Sequence, residues 1–135
     1  MHEFIRDDED LQEVISSKVS DNLILNIVHL VNIEAITDID LTLFCKGAII
    51  TGEVISGKEY FSSMSAKFEG KSSVLQKLYA DVGEEFYSKD EPPVNYIHLK
   101  NVAVKDTNES FTKINGGFLR MRIDEIDGHL FGSPS

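Results

Sequence analysis

Hydrophobic residues between positions 22 and 33 recur at helical spacing. The stripe comprises Leu23, Ile24, Ile27, Leu30 and Val31. These positions are offset by i, i+1, i+4, i+7 and i+8, so they lie on one face of an α-helix. Asp21 directly precedes the run, where a side-chain oxygen can cap the first backbone N–H groups. The pattern therefore predicts a helix that begins after Asp21.

From residue 37 the apolar period changes from helical to alternating. Every second position is apolar, at Ile39, Leu41, Leu43 and Cys45. This alternation predicts a strand with one face in the core. Lys46 and Gly47 predict a short turn into a second strand over residues 48–56. Gly52 lies inside that strand and predicts a bulge or sharp bend, so we expect a β-hairpin with an irregular second strand.

Helical spacing returns at Lys58. The apolar residues here are Tyr60, Phe61, Met64, Ala66 and Phe68. Glu69 and Gly70 follow them, and a glycine directly after an apolar run predicts the end of a helix. We therefore expect a first helix of about three turns between residue 58 and the glycine.

A second helix is predicted to begin at a serine cap, either Ser72 or Ser73. Its apolar stripe comprises Val74, Leu75, Leu78, Val82 and Phe86. Residues 90–93 contain two prolines, which cannot continue a helix. The helix is expected to end before them.

Two or three strands are predicted after the prolines. Residues 94–105 and 118–131 are β-rich, and the polar loop 106–117 between them contains a glycine-rich turn signal. Asp127 and Gly128 predict a tight turn inside the second β-rich stretch.

The order of elements predicts an α+β fold: a small antiparallel sheet, or a partly open and Sm-like barrel, with an N-terminal helix and a helical insertion between strand pairs. We expect residues 21–132 to form a single domain. Residues 1–20 are polar and acidic, and we expect an extension there, either a frayed tail or a short amphipathic helix.

Charge narrows the possible partners. The chain of 135 residues carries a formal net charge of −10, which disfavours nucleic acid and anionic membranes because both need clustered Lys and Arg. The single cysteine, Cys45, excludes an intrachain disulfide and suits a reducing compartment. The N-terminus lacks a signal-peptide pattern, and the longest apolar stretch, 23–36, is too short to span a bilayer. We expect a cytoplasmic protein.

Candidate catalytic groups do not form a recognisable set. The histidines are His2, His29, His98 and His129. None has a partner at zinc-ligand spacing, so each is interpreted as structural. Cys45 alternates with apolar residues and is interpreted as a small buried hydrophobe. Asp124, Glu125 and Asp127 lack the twelve-residue spacing of a calcium loop. We therefore expect no catalytic, cofactor-binding or metal-binding residues, and no enzyme.

The central helical segment is rich in aromatic residues. They are Tyr60, Phe61, Phe68, Tyr79, Phe86 and Tyr87. Most should be core residues. Any that stay exposed would form a protein contact patch, because aromatic side chains provide large contact areas at low entropic cost.

Three segments of the chain resemble the gas-vesicle accessory protein U family of bacteria. Residues 47–61 read GAIITGEVISGKEYF, residues 96–101 read YIHLKN, and residues 123–132 read IDEIDGHLFG. The resemblance covers roughly residues 20–132. It departs from the family in the acidic first twenty residues, at Leu119, where the family commonly has an aromatic residue, and in lacking a longer polar tail.

The resemblance implies a non-enzymatic accessory role in forming or organising gas vesicles. Its expected partners are vesicle shell proteins, other accessory proteins or copies of itself, with neither nucleic acid nor membrane. Two alternatives remain open from the residues. One is an Sm-like barrel that binds nucleic acid or a small ligand, and the other is an enzyme or ligand-binding protein built around Asp124, Glu125 and His98.

Overall fold

The computed structural model describes residues 22–105, 111–114 and 117–132. The helices in these ranges are α1 (Asn22–Asn32), α2 (Gly57–Lys67) and α3 (Ser73–Tyr87). The strands are β1 (Ile39–Cys45), β2 (Ala48–Ile55), β3 (Tyr96–Lys105), β4 (Thr112–Lys113), β5 (Phe118–Arg122) and β6 (Gly128–Phe131). The predicted N-terminal extension and the Asp21 cap lie outside the described residues.

The strands form one antiparallel sheet in the order β4-β3-β2-β1-β6, and β5 pairs with the same outer edge of β3 as β4. α1 precedes the first strand, and α2 and α3 lie in sequence between β2 and β3. The structure confirms the predicted α+β fold, with its small antiparallel sheet, N-terminal helix and helical insertion.

A 3-10 turn at Ile123–Glu125 joins β5, at one edge of the sheet, to β6, at the other. Four strand spacings separate these edges, or about 19 Å in a flat sheet. The five linking residues span only about 16 Å with a 3-10 turn among them. The sheet therefore curls. The linker is fixed on both sides, because Ile123 N–H donates to the Asn95 carbonyl and Asp127 N–H to that of Phe44.

The predicted tight turn at Asp127 and Gly128 does not make a hairpin. β5 pairs with β3, whereas β6 pairs with β1. The prediction was wrong because the 3-10 turn redirects the chain across the open side of the sheet instead of back along β5.

The first hairpin agrees with its prediction. Lys46 and Gly47 both have positive φ, 49° and 87°, which is the backbone of a type I′ turn. The register between β2 and β3 shifts between Thr51 and Glu53, confirming a bulge at Gly52. A Cβ on Gly52 would lie 3.1 Å from Leu99 Cβ, so glycine also permits close approach of β3.

One cluster of buried aliphatic residues, the aliphatic core, lies between α1 and the sheet. It contains Ile24, Ile27, Val28, Val31, Leu41, Leu43, Ile50, Val54, Ile97, Leu99, Val102, Ile123 and Ile126. α1 forms where predicted, but its buried face is displaced. Val28 is buried, whereas the predicted stripe residues Leu23 and Leu30 are exposed. The spacing of apolar residues identifies the buried face of a helix only to within about one residue, which corresponds to about 100° of rotation around the helix axis.

Candidate protein-interaction surface

The helix α3 carries an apolar row of five residues, four of which the rest of the described chain leaves exposed. The fifth, Val82, is half-buried against the rings of Tyr60, Phe61 and Tyr87. This α3 stripe comprises Val74, Leu75, Leu78, Val82 and Phe86. Val74 is 77% exposed, Leu78 52% and Phe86 45%. Because the residues are offset by i, i+1, i+4, i+8 and i+12, they form one surface along the helix.

A second row of α3, one residue out of phase with the first, faces the protein. Tyr79, Gly83 and Tyr87 are spaced i, i+4 and i+8 and pack against α2. The Tyr87 ring stacks on Phe61 at 5.4 Å between centroids, and Tyr79 stacks on Phe68 at 5.6 Å. A Cβ on Gly83 would lie 2.8 Å from Phe61 Cβ, so glycine permits the close approach of the two helices.

Local capping fixes where α2 and α3 begin. Ser56 Oγ accepts a hydrogen bond from Glu59 N–H, and Ser72 Oγ accepts one from Leu75 N–H. Of the two predicted caps, the structure thus selects Ser72. Gly70 has a φ of 78°, a conformation suited to glycine after a helix. The short turn between the helices makes them an antiparallel pair with α3 on the outside.

The helical pair is anchored to the sheet by a second cluster, the aromatic cluster. Its buried members are Ile55, Tyr60, Phe61 and Tyr87. His98 of β3 lies among these rings, with its ring centroid 4.7 Å from that of Tyr60. Most predicted core aromatics are therefore buried or half-buried, and Phe86 is the exposed remainder.

Arg120 of β5 links the sheet to α3. Its Nη1 lies 2.9 Å from His98 Nε2 and donates to the Tyr87 hydroxyl at 3.2 Å. The guanidinium carbon lies 3.7 Å from the centroid of the Tyr96 ring, at cation–π distance. This side chain thus fixes the C-terminal end of α3 to two strands.

The electrostatics of this contact keep His98 neutral. His98 is 1% exposed. Burial, reinforced by the positive charge of Arg120, lowers its pKa from 6.5 to about 3. Because Arg120 can only donate, Nε2 must accept, which places the imidazole proton on Nδ1. The resulting arrangement provides packing and orientation for the helical pair.

The other candidate residues lie elsewhere. Asp124 pairs with Arg122, and Glu125 pairs with Lys46. His98 shares neither partner, so the structure does not bring the three candidate groups into one set. The thiol of Cys45 is half-buried, not fully buried as predicted, and donates to the Glu125 carbonyl.

Of the remaining histidines, His29 is exposed on α1, His129 is half-buried in β6, and His2 lies outside the described residues. Residues 22–105, 111–114 and 117–132 contain no group of three His, Cys, Asp or Glu side chains that could hold a metal ion. Within the same ranges, no helix has the length and apolar character needed to cross a bilayer.

The apolar spacing of the α3 stripe could be predicted from the sequence, but its exposure could not.

The charged residues beside the α3 stripe are unevenly distributed along the helix. Lys77 lies in the first half and pairs with Asp81 at 2.7 Å, whereas Glu84 and Glu85 lie in the last turn. An open apolar row with a charged border has the chemistry of a protein contact surface.

Comparison with known proteins agrees with the resemblance seen in the sequence. Residues 21–134 match the family model described as Gas vesicle protein GvpU-like. No curated protein matches the chain. Among solved structures, the chain is similar to an Sm protein from Pyrococcus abyssii in complex with a uridine heptamer. That likeness has 13% identity and a TM-score of 0.39, and it covers 80% of this chain and 96% of the other.

Proposed function

We propose that this chain, which belongs to the GvpU-like family of gas vesicle proteins, is a non-enzymatic accessory protein. It serves the formation or organisation of gas vesicles through protein–protein contacts. The α3 stripe is the surface that makes those contacts. Its exposure on an ordered helix is the observation that supports this proposal.

An exposed apolar row on a fixed helix needs a physical reason. Each apolar side chain left in water forgoes the stabilisation that burial provides, about 1.5–3 kcal/mol for a fully buried Leu, Val or Phe. Single exposed apolar residues are ordinary on protein surfaces, whereas contiguous ones mark contact sites. α3 is capped at Ser72 and held from behind by stacked rings, so the stripe is presented in one conformation.

The form of the surface favours a protein ligand. Amphipathic helices commonly bind through anchors three or four residues apart, and the exposed residues Val74, Leu75 and Leu78 have that spacing. The chain's net charge of −10 disfavours nucleic acid and anionic lipid. The proposed partners are therefore shell or accessory proteins of gas vesicles, or other copies of this chain, in the cytoplasm.

Flotation with purified gas vesicles tests the proposal. Vesicles rise on gentle centrifugation, so bound protein is recovered from the surface layer. We expect the wild-type chain there and at least a tenfold lower recovery of Leu78→Glu, because a carboxylate in the α3 stripe opposes its burial. Leu130→Glu is the matched control, since Leu130 is 59% exposed but lies on β6.

Two outcomes would count against the proposal. One is a folded wild-type chain that stays in the lower layer. The other is equal recovery of Leu78→Glu and wild type, which would move the contact surface away from α3.

A further inference from the structure

We propose that Arg120 of β5 binds a carboxylate group of an acidic polypeptide through the edge of its guanidinium that carries Nε and Nη2. The site lies outside the α3 stripe, so this inference goes beyond the proposed function and does not depend on it. The hydrogen bonds, the charge and the packing of this one side chain support it.

The hydrogen bonds of Arg120 use only one of its three side-chain nitrogen atoms. A guanidinium has five N–H donors, of which two are on Nη1. Nη1 lies 2.9 Å from His98 Nε2 and 3.2 Å from the Tyr87 hydroxyl, so these two acceptors account for both of its donors. Within the part of the chain that the structure describes, neither Nε nor Nη2 donates a hydrogen bond. Their three N–H groups therefore remain for a ligand.

The positive charge of Arg120 has no counter-ion among the described residues. Arg122, two residues further along β5, pairs with Asp124 at 2.8 Å although its side chain is 62% exposed. Arg120 is half-buried, yet no ion pair within residues 22–105, 111–114 and 117–132 includes it. A charge that is partly withdrawn from water is normally paired, so this position favours an anionic ligand.

Aromatic rings hold the guanidinium of Arg120 in place. Its central carbon lies 3.7 Å from the centroid of the Tyr96 ring and 5.2 Å from that of the Phe61 ring. Nη1 is fixed in addition by His98 and Tyr87, which are 1% and 5% exposed. The group is therefore positioned before a ligand arrives, and a ligand that binds it loses little affinity to the ordering of the arginine side chain.

The Nε–Nη2 edge determines the chemistry of the ligand. Its two N–H groups are parallel and match the two oxygens of a carboxylate, which arginine binds in a bidentate fork. A carboxylate also carries a single negative charge, which balances the single charge of Arg120, whereas a phosphate group carries about two. Two sources can provide a carboxylate: the chain's own acidic residues 7–10 and an acidic segment of another protein.

Nuclear magnetic resonance of the full chain tests the site directly. The chain has three arginines, at positions 6, 120 and 122, so the Nε–H signals are few and can be assigned through bonds from the backbone. The probe is an acetylated and amidated hexaglutamate peptide, and hexaglutamine is the uncharged control. We expect hexaglutamate, and not hexaglutamine, to move the Arg120 Nε–H signal downfield in a saturable way, because a charge-assisted hydrogen bond forms there.

Two variants separate the fork from the charge alone. Arg120→Lys keeps the positive charge but loses the two parallel donors, so we expect about tenfold weaker binding of hexaglutamate. Arg122→Lys is the matched control on the same face of β5, and we expect a change of less than about twofold, since Arg122 already pairs with Asp124. Amide spectra establish that each variant is folded. The Arg120 signal of the wild-type chain tests the site even if Arg120→Lys does not fold.

Neutralising the chain's own acidic residues distinguishes the two sources. The variant carries Asp7→Asn, Asp8→Asn, Glu9→Gln and Asp10→Asn. If these residues supply the carboxylate, the Arg120 Nε–H signal moves upfield without any peptide, and hexaglutamate binds the variant more tightly than it binds wild type. If another protein supplies it, the signal without peptide is the same in both chains. Either result upholds the carboxylate site and identifies its source.

Three results would overturn the inference. The first is an Arg120 signal that hexaglutamate moves in neither the wild-type chain nor the neutralised variant. The second is an equal shift with hexaglutamine, and the third is binding to Arg120→Lys as tight as to wild type. Leu78→Ala, which alters only the α3 stripe, should bind hexaglutamate as wild type does, so flotation with vesicles and carboxylate binding can each fail without the other.

Discussion

Two helices of this protein, α1 and α3, each carry an apolar stripe of five residues, yet the two stripes differ in how much of them is buried. α1 buries Ile24, Ile27 and Val31 against the curled sheet. α3 leaves Val74 and Leu78 open to solvent. The same sequence signal thus marks a core face in one helix and a largely solvent-exposed face in the other.

The difference lies in what faces each helix. α1 packs directly on the sheet and contributes to the aliphatic core. α3 lies behind α2 and contacts it through a second, aromatic row that includes Tyr79 and Tyr87. A helix in an outer layer needs only one row of contacts to hold it, so the residues of a second row can stay exposed to solvent.

The largest expected effect is the difference in the free energy of unfolding between shortening one side chain in the stripe of α1 and shortening one in the stripe of α3. Ile24→Ala removes a fully buried side chain and should lower the free energy of unfolding by about 2–5 kcal/mol. Leu78→Ala should change it by less than about 0.5 kcal/mol in the monomer. Urea denaturation at low protein concentration measures both values. A cost for Leu78→Ala as large as that for Ile24→Ala would show that the stripe is core.

A smaller effect should come from disturbing the aromatic cluster without touching the aliphatic core. A Cβ at Gly57 would lie 2.2 Å from ring atoms of Tyr87, so Gly57→Ala must displace that ring. We expect a loss of about 1–3 kcal/mol, with faster amide hydrogen exchange in α3 than in α1. The control is Gly128→Ala, where the nearest atom is 3.9 Å away. Equal stability of the two variants would contradict the packing of Tyr87 on α2.

The smallest effect should be a pH dependence that originates at His98. Its pKa is about 3 in the folded chain and 6.5 for the unperturbed side chain, so the unfolded chain binds the proton more readily. The contribution of neutral His98 to the free energy of unfolding has its full value at pH values well above 6.5. It falls by about 1.4 kcal/mol for the first unit below that value and continues to fall towards the folded pKa.

Thermal unfolding of wild type and His98→Gln between pH 7 and 5.5 measures this dependence. Glutamine keeps an acceptor for Arg120 but does not titrate, and the carboxylates are the same in both proteins. We expect the stability of wild type relative to the variant to fall as the pH drops. Parallel pH profiles would contradict this, because they would show that the pKa of His98 is the same in the folded and the unfolded chain.

Much of the fold could be predicted because its signals are local. The alternation of apolar residues predicted β1, and a glycine predicted the bulge in β2. The Lys46-Gly47 pair predicted the turn, at which both residues have positive φ. The pairing of β5 and β6 with opposite edges could not be predicted, since it depends on the direction of one 3-10 turn.

Only part of the candidate surface could be predicted from the sequence. Spacing identified the stripe of α3, but exposure depends on what packs against the helix. The interaction of His98 with Arg120 was hidden for a similar reason. It arises from the register between β3 and β5, in which these two residues are directly opposed, and no pattern within either strand encodes that register.

The crossing from β5 to β6 has a consequence for how the chain folds during synthesis. β1 is among the first elements made, yet one of its edges is completed only by β6, the last described strand. Until β6 emerges from the ribosome, the apolar face of β1 borders an unpaired edge, which is the kind of edge on which other chains aggregate. The short crossing limits how far β6 must search once it is made, so it shortens the interval between the synthesis of β6 and the pairing of that edge.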